Sequence, residues 1–243
     1  MKASPEDQKQ LLTLQALDTR VQQLEHSLRT LPQLAELEQT QAEVAEITAR
    51  LNLHEGERED AQIEISRIES DVAVVLARIQ RNADRAATAT AKDAQALDAD
   101  ITALNKRRND LEEIELNVME RVEELDATIA SVTAQRAAVQ ERQSELESAK
   151  ADMVADIERE REKVRQNREA LVSALPADLV ELYEKQRARY GIGAGLLRGG
   201  ISEGGNMALT PTDLQTIRNT PADEVVLCPE SACILVRTDE SGL

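Results

Sequence analysis

From Leu97 to Leu171 an apolar position returns every 3.5 residues for about ten heptads, with no Gly or Pro in the run. One half of the stripe, from Leu97, Leu104, Leu111 and Val118 through Val132 to Met153, is unbroken apolar. The other half admits Arg108, Glu115, Arg136, Gln143 and Lys150. A helix this long with so narrow an apolar seam cannot bury it alone, so a partner helix must come from the same chain or from another. Composition agrees: of 243 residues only 1% are aromatic, and Phe and Trp are absent. A globular core of this size normally uses aromatics, whereas a core two helices thick is filled by Leu, Ile, Val and Ala.

A partner segment precedes the seam. Ser4-Pro5-Glu6-Asp7 is a helix start, with Ser4 as N-cap, Pro5 in the first turn and acids at the positive end of the dipole. Heptad spacing then runs from Leu14 to Leu31 and breaks at Pro32, which removes a backbone donor; Thr30 and Gln33 have capping-box spacing. From Val44 to Ile79 the seam resumes, with His54 and Arg58 as a polar layer that sets register. The periodicity lapses at residues 82–93, around Ala86-Ala87-Thr88-Ala89-Thr90-Ala91. The simplest architecture is a long antiparallel coiled-coil hairpin over residues 1–175, kinked near 30–33, with its tip near 86–91. Arms of about 80 residues at 1.5 Å rise each reach roughly 120 Å. Partners across such a hairpin have numbers summing to about 179, which sets Asp71 opposite Arg108 and Glu43 opposite Arg136. A parallel homodimer stacks Arg108 on Arg108 and is disfavoured.

Leu175-Pro176 ends the returning arm, and residues 176–190 form a short linking helix. Seven of the nine Gly then fall between Gly191 and Gly205, marking a domain boundary. Residues 191–243 form a small β-rich module, with strands at 195–200, 224–227 and 234–237 and a short helix from Pro211 to Ile217. The fold class is therefore mostly α, a hairpin carrying a small β-rich C-terminal module.

These residues carry a resemblance. The Leu31-Pro32 and Leu175-Pro176 joints are similar to those of the bacterial coiled-coil proteins with a C-terminal C4-type zinc ribbon. So are the run Pro176-Ala177-Asp178-Leu179-Val180-Glu181-Leu182-Tyr183-Glu184 and the phrases Asn206-Met207-Ala208-Leu209 and Asp223-Glu224-Val225-Val226. That family is described as a domain of unknown function, with one branch of flagellar regulators and chaperones. The resemblance covers the whole chain and implies two Cys-x-x-Cys knuckles, which here fall at Ser202 and Gly205 and at Cys228 and Ser231. Only Cys228 is a thiol. Hydroxyls do not ionise near neutrality and Gly205 has no side chain, so the zinc expected of the family is not expected here. In a metal-free module Leu197, Ile201, Met207, Leu209, Leu214, Ile217, Val226, Leu227, Leu235 and Val236 must hold the fold. Cys233 falls two residues past the last ligand position, on the strand by pattern, and Cys228 with Cys233 is a candidate redox pair.

Charge sets the remaining limits. A formal net charge of -17 disfavours general binding to nucleic acid or anionic membranes. No apolar run approaches the roughly 20 residues that span a bilayer. Met1-Lys2-Ala3-Ser4-Pro5 lacks the apolar stretch of a signal peptide, and two Cys make no disulfide framework, so a cytoplasmic protein is the expectation. No phosphate loop, catalytic triad or paired carboxylates stand out, which favours a scaffold or chaperone-like protein that binds partner proteins over an enzyme. The alternative is nucleic-acid binding through Arg78, Arg81, Arg85, Lys106 and Arg107 near the tip, or Lys185, Arg187 and Arg189 at the base. The tail opposes it, with Arg198, Arg218 and Arg237 outnumbered by Glu203, Asp213, Asp223, Glu224, Glu230, Asp239 and Glu240. A third possibility is a homo-oligomer, formed if the exposed segment before Pro32 crosses to another chain.

Overall fold

The computed structural model describes residues 1–243. Ser4 Oγ accepts the Asp7 amide and α1 runs Pro5–Arg29. It ends where the Thr30 amide bonds back to the His26 and Ser27 carbonyls, and the Thr30 hydroxyl also donates to His26. Pro32 then starts α2, Pro32–Ala86. After a turn at 87–90, Thr90 Oγ1 accepts the Asp93 amide and α3 occupies Ala91–Ala174. Pro176 precedes α4, Ala177–Tyr190, which Gly191 closes in the left-handed region at φ 83°.

The chain divides into two compact units, one of residues 33–148 and one joining 1–32 to 149–243. In the first unit α2 and α3 form a helical hairpin. Ala61 and Ile68 are buried with Leu111 and Val118, and Ile47 and Leu51 with Val132. Glu36–Arg142 (3.7 Å) and Arg78–Asp100 (3.1 Å) keep the expected register. Between them Arg58–Asp126 (2.5 Å) and Glu64–Arg121 (2.7 Å) run a few residues out of it. Two expected pairs are not the ones made. Arg108 lies along its own helix, its Nε 3.3 Å from Glu112 and its Nη2 donating to Asn109, and Glu43 accepts from Gln39. A partner one turn away on the same helix needs less ordering and less desolvation than one across a seam. His54 likewise faces Glu57 of α2 at 3.0 Å, which leaves Arg58 as the polar bridge between arms.

In the second unit β1 (Ala194–Arg198), β2 (Ile201–Ser202), β3 (Met207–Ala208), β4 (Val226–Leu227) and β5 (Ile234–Val236) form one sheet in the order β3-β2-β1-β5-β4. β1 and β5 are parallel and the other pairs antiparallel. Helix α5, Pro211–Asn219, is capped by Thr210. Two cores meet on the sheet. Leu11 and Leu14 of α1 pack with Leu175, Leu179, Tyr183, Ile234 and Val236; Leu197, Leu209, Ile217, Cys228, Cys233 and Leu235 pack on its other side. Contrary to expectation, Ile201, Met207 and Leu227 are exposed: Met207 and Leu227 lie on the edge strands β3 and β4, and Ile201 on the two-residue β2 beside β3. The segment before Pro32 is not exposed as expected: its apolar residues Leu11, Leu14 and Leu24 are buried within the chain.

The first three residues belong to the sheet edge. Lys2 bridges Glu224, Ala3 N donates to Asp223 O and Val225 N donates to Met1 O, each backbone bond 2.8–3.0 Å. Arg237 gathers the loop after α5, donating to the carbonyls of Thr220 and Glu224 (both 2.7 Å), Pro221 (2.8 Å), and Ile217 and Ala222 (both 3.3 Å). Its guanidinium replaces the amides that a longer helix would have offered those carbonyls.

Leu111 is 4% exposed on the seam and Leu116 62% exposed beside it. Leu111→Ala is expected to destabilise the chain by about 2–4 kcal/mol, and Leu116→Ala by no more than about 0.5 kcal/mol, in urea unfolding followed by circular dichroism.

Candidate functional site

The buried polar centre of the second unit is Asp18, near the middle of α1. Arg168 of α3 donates to it through Nε (2.7 Å) and Nη2 (3.4 Å). Arg187 of α4 stands 3.4 Å away, and the Tyr183 hydroxyl donates at 2.7 Å. Glu184 completes the network by accepting from both Arg168 and Arg187. One turn back, Gln15 Oε1 accepts the amides of Gly193 (2.7 Å) and Ala194 (3.3 Å) at the entry to β1. Gly193 has to be glycine: a Cβ there would sit 2.4 Å from the Tyr183 ring. Three helices and the sheet are thus tied through two side chains of α1.

The electrostatics follow. Hydrogen bonding to Asp18 raises the Arg168 guanidinium above its ordinary range, against the opposing effect of burial. Burial, then the hydrogen bond to Asp18, pushes the Tyr183 phenol well above 10. Arg168 and Tyr183 are thus held in their protonated forms, with their hydrogen bonds committed to Asp18. That arrangement joins elements; proton transfer to a ligand requires a group free to change state.

Beside the junction an open groove of about 630 Å³ lies between α1 and β1, lined by Leu12, Gln15, Ala16 and Thr19 against Ile192 and Leu196, with Arg20 and Glu203 at its rim. On the α2–α3 hairpin a smaller hollow of about 370 Å³ is bounded by Gln62, Ile65, Glu69, Met119 and Val122. Leu53, Ile63, Val74, Leu116 and Met119 are exposed apolar side chains on these arms.

The candidate residues divide. Arg81, Arg85, Lys106 and Arg107 are exposed near the turn, whereas Arg78 is engaged by Asp100, which also accepts from buried Asn82 at 2.6 Å. Lys185 is exposed, Arg189 lies over the Tyr190 ring at 5.2 Å, and Arg187 is held inside the junction. In the β-module Ser202, Cys228 and Ser231 come together, and a Cβ on Gly205 would sit 3.0 Å from the Ser231 Cβ. Cys233 is not on the strand. It sits in the bend before β5, turned inward, with Sγ 3.2 Å from Ser231 Oγ. Ala232 lies in the left-handed region (φ 56°), a conformation that costs a residue with a Cβ roughly 1–2 kcal/mol. Both thiols are free and buried. Burial pushes Cys228 up, but hydrogen bonds from Ser202, Ser231 and the Ser231 and Glu230 backbone outweigh it and leave the thiol lowered. Burial and the neighbouring Cys228 raise Cys233.

Sequence reasoning passed over Asp18 and Gln15. The signal was present: stepping from Leu11 and Leu14 by helical spacing reaches Asp18, an acid on the buried stripe.

Residues 14–191 match the CT398-like coiled coil hairpin domain. The chain belongs to that family. It is similar to two uncharacterized proteins of Mycobacterium tuberculosis, MT2288 and Rv2229c, each 33% identical over 244 residues and covering 98% of both chains. Among solved structures it is similar to a Mycobacterium smegmatis protein (TM-score 0.89, 32% identity, 98% of this chain and 100% of that one). CT398 from Chlamydia trachomatis shares the fold at a TM-score of 0.66 and 21% identity, over 95% of this chain and 97% of its own. These family members carry no enzymatic names, and no helix here is long and apolar enough to cross a membrane.

Removing one partner of the junction tests its role. Asp18→Asn removes the buried carboxylate and leaves Arg168 and Arg187 with Glu184 alone, and is expected to cost about 3–5 kcal/mol. Tyr183→Phe is expected to cost about 1–3 kcal/mol. The sign with pH follows from the raised phenol: its stabilisation is complete below the unfolded value of 10.0 and is lost as pH rises toward the folded one. Chemical unfolding from pH 8 to 11 should therefore show wild-type stability declining above about 10, with Tyr183→Phe flatter over the same range.

Proposed function

We propose that this hairpin-family protein is a non-enzymatic adaptor that binds partner proteins through the coiled-coil hairpin and the β-module. The observation that carries this reading is the Asp18 junction, where Arg168, Tyr183 and Arg187 bind α1, α3 and α4 together while Gln15 anchors β1. A junction of that kind transmits force and position from helices to module. The surfaces suited to a partner are the α1–β1 groove and the exposed apolar side chains Ile63, Leu116 and Met119 on the arms. Apolar side chains on a coiled-coil exterior accept a further helix, and polar rims such as Arg20 and Glu203 orient it.

A second reading rests on the charge pattern. Residues 78–108 carry seven Lys and Arg against four Asp in a chain of net charge -17. Such a basic tip suits an acidic ligand, RNA or duplex DNA included.

Affinity capture from native cells tests the first reading. The full-length protein is compared with Ile63→Glu/Met119→Glu and with Ala16→Arg, which blocks the groove. The expected result is a specific partner set lost with one variant while the circular-dichroism melt is unchanged; a set that survives both variants overturns the adaptor surfaces named here. A salt titration with single-stranded RNA and duplex DNA tests the second. Measurable binding should weaken with salt and vanish in Arg81→Glu/Arg85→Glu, and a Kd above about 100 µM at low salt for both ligands removes it.

A further inference from the structure

We infer that the C-terminal module is pinned by the Cys233 sulphur, seated where the two expected metal-knuckle turns meet, and that it holds together without a metal ion. The inference stands independently of what the hairpin binds.

Neither the chemistry of the donor set nor the space around it suits a zinc ion. Ser202, Cys228, Ser231 and Cys233 converge, offering two thiols and two hydroxyls. A structural zinc site requires four donors that ionise or carry a free nitrogen lone pair, and neutral hydroxyls do not meet that requirement. No group of three or more His, Cys, Asp or Glu gathers anywhere in the chain. Zinc therefore does not fit this set.

Space gives the same result. Cys233 is completely buried, and its Sγ lies so close to the opposite turn that a Cβ built on Gly204 would come within 2.4 Å of it and one on Gly195 within 3.3 Å. The sulphur is thus in contact with bare backbone on one side and with the Ser231 hydroxyl on the other. Gly195 and Gly204 are themselves pressed together, since a Cβ on Gly195 would fall 2.5 Å from Gly204 N. The turn is built to bring Cys233 there. Ala232 N donates to Cys228 O at 2.9 Å, Cys228 N donates to Cys233 O at 2.8 Å, and Ala232 takes up the left-handed conformation that rotates the next side chain inward.

Ser202 is fully buried and its hydroxyl faces both sulphurs, which are weak hydrogen-bond partners. Here the sulphur, behaving as a small polarizable hydrophobe, continues the apolar core of Leu197, Leu209, Ile217 and Leu235 into the gap between the turns. Other ties carry the remainder: the parallel β1–β5 pairing, the Arg237 cluster of carbonyls and the Met1–Ala3 edge. The functional consequence is a docking module whose folding is indifferent to zinc supply.

The test uses the full-length protein and zinc ion as probe. Competition against a chromophoric chelator is expected to show no zinc uptake, and EDTA is expected to leave the melting temperature and the amide-exchange protection of β1 and β5 unmoved. Stoichiometric zinc uptake, or loss of that protection in EDTA, overturns the metal-free module. Ser202→Cys, Gly205→Cys and Ser231→Cys are then combined to supply thiols at the knuckle positions. Zinc binding is expected to be about tenfold or more weaker with Cys233 present than after Cys233→Ala is added. Equal binding with and without Cys233 overturns its role as plug. If the combined variant does not fold, thiol labelling of the wild type decides: Cys233 should react only at the rate at which β1 and β5 open, and rapid labelling of the native state overturns the assignment.

Discussion

Everything in the second unit depends on one buried carboxylate. Asp18 is taken out of water with two guanidinium groups and a phenol around it, and its desolvation is offset only while all of them are in place. Such a network adds little net stability compared with an apolar core of the same volume. What it adds is uniqueness: only one placement of α1, α3 and α4 satisfies every donor and acceptor. Leu11, Leu14 and Leu179 supply the burial energy around it, and they would tolerate other rotations of the same helices.

The two units solve the packing problem by different means. Along α2 and α3 a narrow seam of aliphatic residues is closed by a few charged pairs at its edges, and the outer faces stay charged and in solvent. In the second unit a sheet of very short strands has helices on one side and the α5 core on the other, with Met1–Ala3 bridged to the segment that leads into β4 and the loop after α5 drawn in by Arg237. Short strands cannot carry a fold by themselves, so contacts distant in sequence do the work. The inward-turned Cys233 belongs to this pattern. It is a small apolar contact placed where a fold of this size most needs one.

The sequence by itself determined the helices, their caps and breaks, and the hairpin, because heptad spacing, Ser4, Pro32, Thr90 and Pro176 act within a turn or two of themselves and carry that information locally. It also determined the approximate register of the arms, which the period and the position of the reversal set between them. Only the tertiary structure decided which charges pair, since Arg108 could choose Glu112 one turn away over Asp71 across the seam. It alone decided that Asp18 is the junction, that β1 lies parallel to β5, that residues 1–3 close the sheet edge and that Cys233 turns inward. Each of these joins residues far apart in the chain, and their energies arise from burial and desolvation, which do not exist until the distant surfaces meet.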